Sequence, residues 1–393
     1  MVIQVSPQIQ HQSSCPYCQV VLKPSSLLWA GMFICTRLSC QICGAEIIEE
    51  LPIGHAENAV SQVDLVKQVA FGNCWTRELL LANLINPEQK VVNLNREIFQ
   101  QRDRVIILNC IDYLYGHCLL KLLNAQRHLE DNADYGLVVL IQSFMRWLVP
   151  QGIAEIWTVD IPLRQGNLYY LSLNQTINNE INRFQAVYIS EAFSHPNQFN
   201  ITNFTGVSHF TWQQKETKVT FIWREDRLWC SPNLTKILSR LGLLFWALML
   251  QNWQIKRLFR HIRRHIPHVK LSVAGLGTHT NFPSWIIDKR VNQFDIQTEY
   301  ELCQFYAESN LVIGVHGSNM LLPSAHAGMV IDLMPPDRWA NFAQDILYQE
   351  KDSRLAAYCY RYLPVQTSPK LLALIASTMI LKWLRFSSQM SNK

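Results

Sequence analysis

Two pairs of cysteines near the amino terminus constrain this chain more than any other feature. Cys15 and Cys18 (CPYC) and Cys40 and Cys43 (CQIC, followed by Gly44) are each separated by two residues, and 21 residues lie between the pairs. A CxxC turn can present two thiolates to one ion, and the intervening stretch is long enough for a short hairpin. The spacing therefore predicts a closed four-sulfur shell around a structural zinc. So short a segment cannot build a core alone, and a closed shell has no open position for substrate, so the ion is expected to fold the segment and not to catalyse. A dithiol redox role for Cys15 and Cys18 is the weaker alternative, because such sites sit on the strand-to-helix turn of a larger α/β unit.

Residues 12–50 resemble the zinc ribbons of many prokaryotic proteins, with Cys35 either a buried thiol or an alternative ligand. Cys74, Cys110, Cys118, Cys230, Cys303 and Cys359 have no metal-site spacing and read as reduced core thiols. The amino terminus lacks the basic start and apolar run of a secretory signal, which makes the cytoplasm the expected location. The net charge of +5 is thinly spread apart from one basic run, KRLFRHIRR at 256–264. Lys23 and Arg37 are the only basic residues between Cys15 and Cys43, so nucleic-acid binding through the ribbon is disfavoured.

With 393 residues, 49% of them apolar and 17% charged, the rest of the chain has room for two sizeable cores. Residues 57–100 read as a mixed connector with a helix near 75–84. Short apolar runs at 104–109, 137–141, 156–159 and 186–189 then alternate with helical periodicity, as over 115–129. A polar interval at 194–217 suits a linker. Beyond it, strands are expected at 219–223, 269–273, 311–315 and 329–333, and helices at 234–265, 300–309 and 319–326. Such alternation predicts parallel, doubly wound sheets. The expected organisation is a ribbon module (12–50), two α/β domains (57–205 and 215–350) and a carboxy-terminal helical segment (351–393).

In open α/β sheets ligands bind beyond the carboxyl ends of strands, so the residues just after predicted strands carry the most weight. The turn GVHGSN puts His316, Gly317, Ser318 and Asn319 where a helix start could meet a phosphate; a tight turn with a capped helix is the plain alternative. WREDRLW places Arg224 and Arg227 after another strand, able to clamp a diphosphate or simply to lie on a solvated loop. NCIDYLYGH offers Asp112 and His117 as candidate bases.

At these residues a family resemblance is visible. SNLVIGVHGSNMLLPSAHAGMVIDLMPP (309–336) is similar to the carboxy-terminal signature of glycosyltransferase family 61 and related GT-B enzymes, with further likeness at Arg224 and at 115–117. The resemblance implies two Rossmann-like domains and transfer of a sugar from a nucleotide-sugar to a polysaccharide or lipid-linked acceptor. His316, Gly317 and Ser318 would approach the diphosphate, Arg224 would neutralise it, and Asp332, where Glu is often seen, would sit near the nucleotide end. Such enzymes usually replace a metal by cationic side chains, and the sequence holds no Asp-x-Asp motif. A base in the first domain, Asp112 or His117, would deprotonate the acceptor.

The alternatives are a pyruvyl-type group transferase on the same plan, and a zinc-ribbon protein that only holds a nucleotide or glycan. Two apolar stretches, at 241–250 and 371–384, are shorter than the roughly 20 residues that cross a bilayer and read as buried helices. With the basic run behind it, the first has a second reading as an interfacial helix, giving peripheral contact at the inner membrane face.

Overall fold

The computed structural model describes residues 2–53, 60–192, 196, 198–213, 216–231, 237–238, 240–343 and 347–391. It is a mixed α/β protein whose contacts divide it into two compact units, Met1–Phe204 and Thr205–Lys393.

The first unit opens with β1 (Val2–Ser6). The cysteine region follows as a hairpin, β2 (Ser13–Ser14) and β3 (Val21–Leu22), and an antiparallel sheet of β4 (Pro24–Ala30), β5 (Phe33–Ser39), β6 (Glu46–Glu50), β7 (Gln62–Asp64) and β8 (Val69–Phe71). The expected module limit at residue 50 thus falls inside a five-stranded sheet, whose last two strands come from the stretch read as connector. Three-residue strands are too short to register as a period. The same stretch provides α1 (Arg77–Ile85) and β9 (Leu94–Ile98).

The main sheet of this unit adds β10 (Arg104–Asn109), β11 (Gly136–Gln142), β12 (Glu155–Val159) and β13 (Ala186–Ser190), with α2 (Tyr115–Asp131) and α3 (Leu171–Ile181) between them. Its strand order is β1-β13-β10-β11-β12-β9. The four inner strands run parallel and the two edges antiparallel. β10 and β11 are almost wholly buried, as continuous apolar strands must be when both faces are covered. The edge strand LNREI (β9) is mostly exposed, and its polar composition is why no strand is legible there.

The antiparallel sheet is not separate from this core. Trp29 and Ile34 pack with Val105, Val138 and Trp157, and the Trp29 amide donates to Asn174 Oδ1 of α3 at 2.8 Å. Gly31 turns the β4–β5 hairpin at φ 61°, and a Cβ there would lie 2.4 Å from the Gly166 carbonyl oxygen. Only glycine permits both that backbone angle and that approach.

The second unit holds an all-parallel sheet of β14 (Lys218–Trp223), β15 (Lys270–Leu276), β16 (Ile287–Val291), β17 (Leu311–Val315), β18 (Val330–Met334) and β19 (Tyr360–Pro364). The order is β16-β15-β14-β17-β18-β19. The chain builds outward from β14 in one direction, then returns beside β14 and builds the other way. Its helices include α5 (Leu244–His265), α6 (Ile296–Ala307), α7 (Leu321–His326), α8 (Ser353–Cys359) and α9 (Pro369–Ser391), with α4 (Ile201–Thr205) at the junction of the units. Asp295 and Thr298 form a reciprocal capping box at the start of α6. The expected helix at 319–326 is a 3-10 turn, Ser318–Met320, followed by the six residues of α7, because Pro323 removes one helical donor and Gly328 ends the run.

Candidate functional site

The four paired cysteines converge at the end of the first unit's antiparallel sheet. Cys15 and Cys43 sulfurs are 3.6 Å apart, Cys18 and Cys40 3.5 Å, and all four lie within 4.8 Å of one another. A tetrahedral ion with bonds of about 2.3 Å has sulfur–sulfur edges of about 3.8 Å, so this group could hold a metal such as zinc. The two turns match: Cys15 O accepts from the Gln19 amide and Cys40 O from Gly44, each at 2.9 Å. Gln19 (φ 62°) and Gly44 (φ 71°) occupy equivalent left-handed positions. The Cys43 amide donates to the Cys40 sulfur at 3.5 Å, a contact that favours a thiolate there. Cys35 lies elsewhere, buried in the core of the sheet, where desolvation pushes its thiol well up. It is a core thiol and no part of the cluster.

A second constellation forms where the second unit's strand order reverses, beyond the carboxyl ends of β14 and β17. Such a reversal leaves a crevice, because the connections on its two sides leave in opposite directions. Arg224 follows β14 and reaches the bend after β17: its Nη1 donates to Asn319 Oδ1 at 2.6 Å, and Arg227 Nη1 donates to the His316 carbonyl at 2.5 Å. Gly317, at φ 141°, sits under both guanidiniums, and a Cβ there would lie 2.5 Å from Arg227 Nη1 and 2.6 Å from Arg224 Nη1. Asp226 holds Arg224 in a bidentate pair, 2.7 and 2.5 Å. Arg227 is pulled below its ordinary value, first by desolvation and then by the like charges of Arg224 and Arg338. Two further guanidiniums acting on Arg227, only partly offset by Asp226 and Asp337, mark a local excess of positive charge that an anion would relieve.

Behind the bend, His316 Nδ1 lies 2.9 Å from Asp332 Oδ2, which also accepts from the Tyr360 hydroxyl at 3.1 Å. Desolvation and then the Asp332 carboxylate push the Tyr360 phenol far up, so it remains a donor. Among the described residues, Asn319 Nδ2 and Asp332 Oδ1 are buried without a hydrogen-bond partner. A buried polar atom left unpaired costs about 1–3 kcal/mol, and binding sites tolerate that cost where a ligand completes the bond. The candidate residues Arg224, Arg227, His316, Gly317, Ser318, Asn319 and Asp332 are therefore brought together. Arg338 and Tyr360 join them unforeseen. Arg338 follows a predicted strand and could have been flagged by the carboxyl-end rule, whereas Tyr360 lies on an edge strand, YRYLP, that has no clear period.

The other two candidates lie in the first unit, at the end of β10. Asp112 is fully buried, with Oδ2 2.8 Å from Lys121 Nζ and Oδ1 3.4 Å from His117 Nδ1. Sealed and ion-paired, it is suited to holding His117 and Lys121 more than to meeting a substrate. The His117 side chain is 27% exposed and stands edge-on to Trp75. It is the member of this pair that solvent reaches.

Compared with protein-family models and with curated protein sequences, the chain matches none.

Proposed function

We propose that the second unit binds the diphosphate of a nucleotide-sugar at the 316–319 bend, and that the protein is a glycosyltransferase acting on a polysaccharide or lipid-linked acceptor. The observation that carries this reading is the convergence of Arg224 and Arg227 on Gly317, at the reversal point of a parallel sheet ordered 3-2-1-4-5-6. That order is the one found in Rossmann-type nucleotide-binding domains. It agrees with the resemblance to glycosyltransferase family 61 over 309–336 and with a GT-B-like plan.

In this reading Arg224, Arg227 and Arg338 offset charge that builds on the leaving diphosphate, and Asn319 Nδ2 supplies a further donor. α7 has only six residues, so side chains rather than a long helix end supply most of the positive potential. His316, buried and paired with Asp332, would hold the bend in shape beneath the diphosphate and not meet the substrate itself. His117, steadied by Asp112, is the first unit's candidate to take the acceptor's proton. The four-cysteine group, loaded with zinc, would brace the antiparallel sheet and take no part in the chemistry.

Calorimetric titration of the intact protein with a panel of nucleoside diphosphates tests the reading. One of them should bind, and Arg224→Ala should weaken it roughly 30- to 150-fold, the worth of about 2–3 kcal/mol of charge-assisted hydrogen bonding. Absence of binding to every diphosphate at millimolar concentration, or an unchanged affinity in the variant, sinks it. Turnover of the matching nucleotide-sugar with pooled acceptors then separates transfer from binding alone.

A further inference from the structure

In the second unit α5 and α9 pack on one another and bury one side each in the same core, Leu258, Phe259 and Ile262 from the first, Ala373, Met379 and Trp383 from the second. Their other sides are open. On α5, Trp246, Met249, Trp253, Arg257, Arg260 and Arg264 follow one another at steps of three or four residues, which is one face of a helix, and each is exposed. The first half of that face is apolar: Trp246 is 64% exposed and Trp253 47%, with Phe245 at 53% beside them. The second half is cationic, and Arg257 lies over the Trp253 ring at 5.2 Å where the halves meet. On α9, Leu371, Leu374, Leu381 and Leu384 are exposed, with Lys370, Lys382 and Arg385 among them.

The charge on these helices is one-sided. α5 contains five Lys or Arg and α9 three, and neither contains an Asp or Glu. The whole chain has a net charge of only +5, so everything outside these two helices must sum to −3. The crowding is felt locally: the His261 imidazole is pushed down, first by desolvation and then by Arg264, Arg257 and Lys370, the last of these on α9.

A surface of tryptophans and leucines beside concentrated cations fits one kind of partner. A second copy of the same face would set six cations against six. Nucleic acid would satisfy the arginines but leave the leucine row of α9 in water. An anionic bilayer satisfies both, since indole rings and leucines enter the headgroup boundary while guanidiniums meet lipid phosphates. Over Pro369–Met390, α9 is long and apolar enough to cross a membrane by length and composition. Crossing would pull Ala373, Met379 and Trp383 out of the core they share with α5, so the helix is suited to lie at the surface.

We propose that the exposed sides of α5 and α9 form one docking surface for an anionic lipid bilayer. The proposal stands on these helices alone and does not depend on the nucleotide site.

Flotation of the zinc-loaded full chain with vesicles of phosphatidylcholine, alone or with about 30% phosphatidylglycerol, is the test. The protein should float with the anionic vesicles at least tenfold more than with the neutral ones, and about 0.5 M salt should release it. The triple variant Arg257→Glu, Arg260→Glu, Arg264→Glu should lose at least tenfold in vesicle affinity, and Trp246→Ser with Trp253→Ser at least fivefold. All five side chains are exposed, so melting temperature and any nucleoside diphosphate affinity should stay at wild-type values, which separates this surface from the proposed nucleotide site. The proposal is overturned if the wild-type protein stays in solution, if the triple variant floats as well as wild type, or if neutral vesicles serve equally. It is also overturned if Trp246→Ser disperses a dimer in sedimentation velocity while lipid binding is absent, or if the triple variant loses RNA binding and not vesicle binding.

Discussion

The carboxyl ends of the two main sheets use the same sequence of strand, turn and helix, yet their chemistry differs in sign. In the first unit, the turn after β10 buries Asp112 against Lys121, and Glu50 lies close enough to feel the same ammonium, so two carboxylates share one cation. Gln142, at the end of β11, completes the seal by accepting from the Asp112 amide and donating to the Ile161 carbonyl. In the second unit the corresponding turns gather Arg224, Arg227 and Arg338, while buried atoms of Asn319 and Asp332 stay unpaired. One end is closed and paired; the other is positive and incomplete. The fold alone does not make a site, because the few residues just past each strand decide what the crevice can hold.

The largest effect expected from this contrast is on the closed side. Lys121→Met leaves the Asp112 carboxylate buried without its cation, which should cost about 4 kcal/mol near neutral pH and lower the melting temperature by roughly 10 °C. Adding Asp112→Asn should recover at least half of the loss; an unchanged melting temperature in the single variant would break the comparison.

Next comes Glu50, whose carboxyl is raised from 4.5 to about 7, chiefly by desolvation. A raised folded value means that stability is complete below about pH 4.5 and declines as pH climbs through 7. Glu50→Gln stays neutral throughout, so it should be nearly silent at pH 5 and stabilise by up to about 3 kcal/mol at pH 8. Urea midpoints at the two values measure this, and an equal effect at both would refute it.

Gly317→Ala probes the open side and should have the smallest effect on folding, about 2 kcal/mol, from backbone strain and the displacement of two guanidiniums. Its distinctive signature should be a tenfold or greater loss of nucleoside diphosphate affinity in calorimetry, and retained affinity would mean that the guanidiniums over Gly317 do not form the binding surface.

The central strands were legible because burial on both faces forces continuous apolar runs, as in VIIL of β10, VVLI of β11 and LVIGV of β17. The edge strands LNREI, IDKRV and YRYLP were not, since a half-exposed strand draws its order from its neighbour and not from its own composition. The candidate site was more legible than the edge strands. Arg224, Arg227 and the 316–319 bend were each picked out by position after a strand, but Tyr360 was invisible without its strand. The fate of Asp112 turned on a lysine nine residues along α2.

The sequence by itself determined the local matters: the spacing of four thiols that can share an ion, the apolar runs that must become central strands, and the arginines and glycine that follow them. Tertiary structure alone decided which of these meet. Residues 92 apart in the chain, such as Arg224 and His316, become neighbours only when parallel pairing sets β14 beside β17. No local preference encodes that pairing, because its energy comes from burying both strands at once.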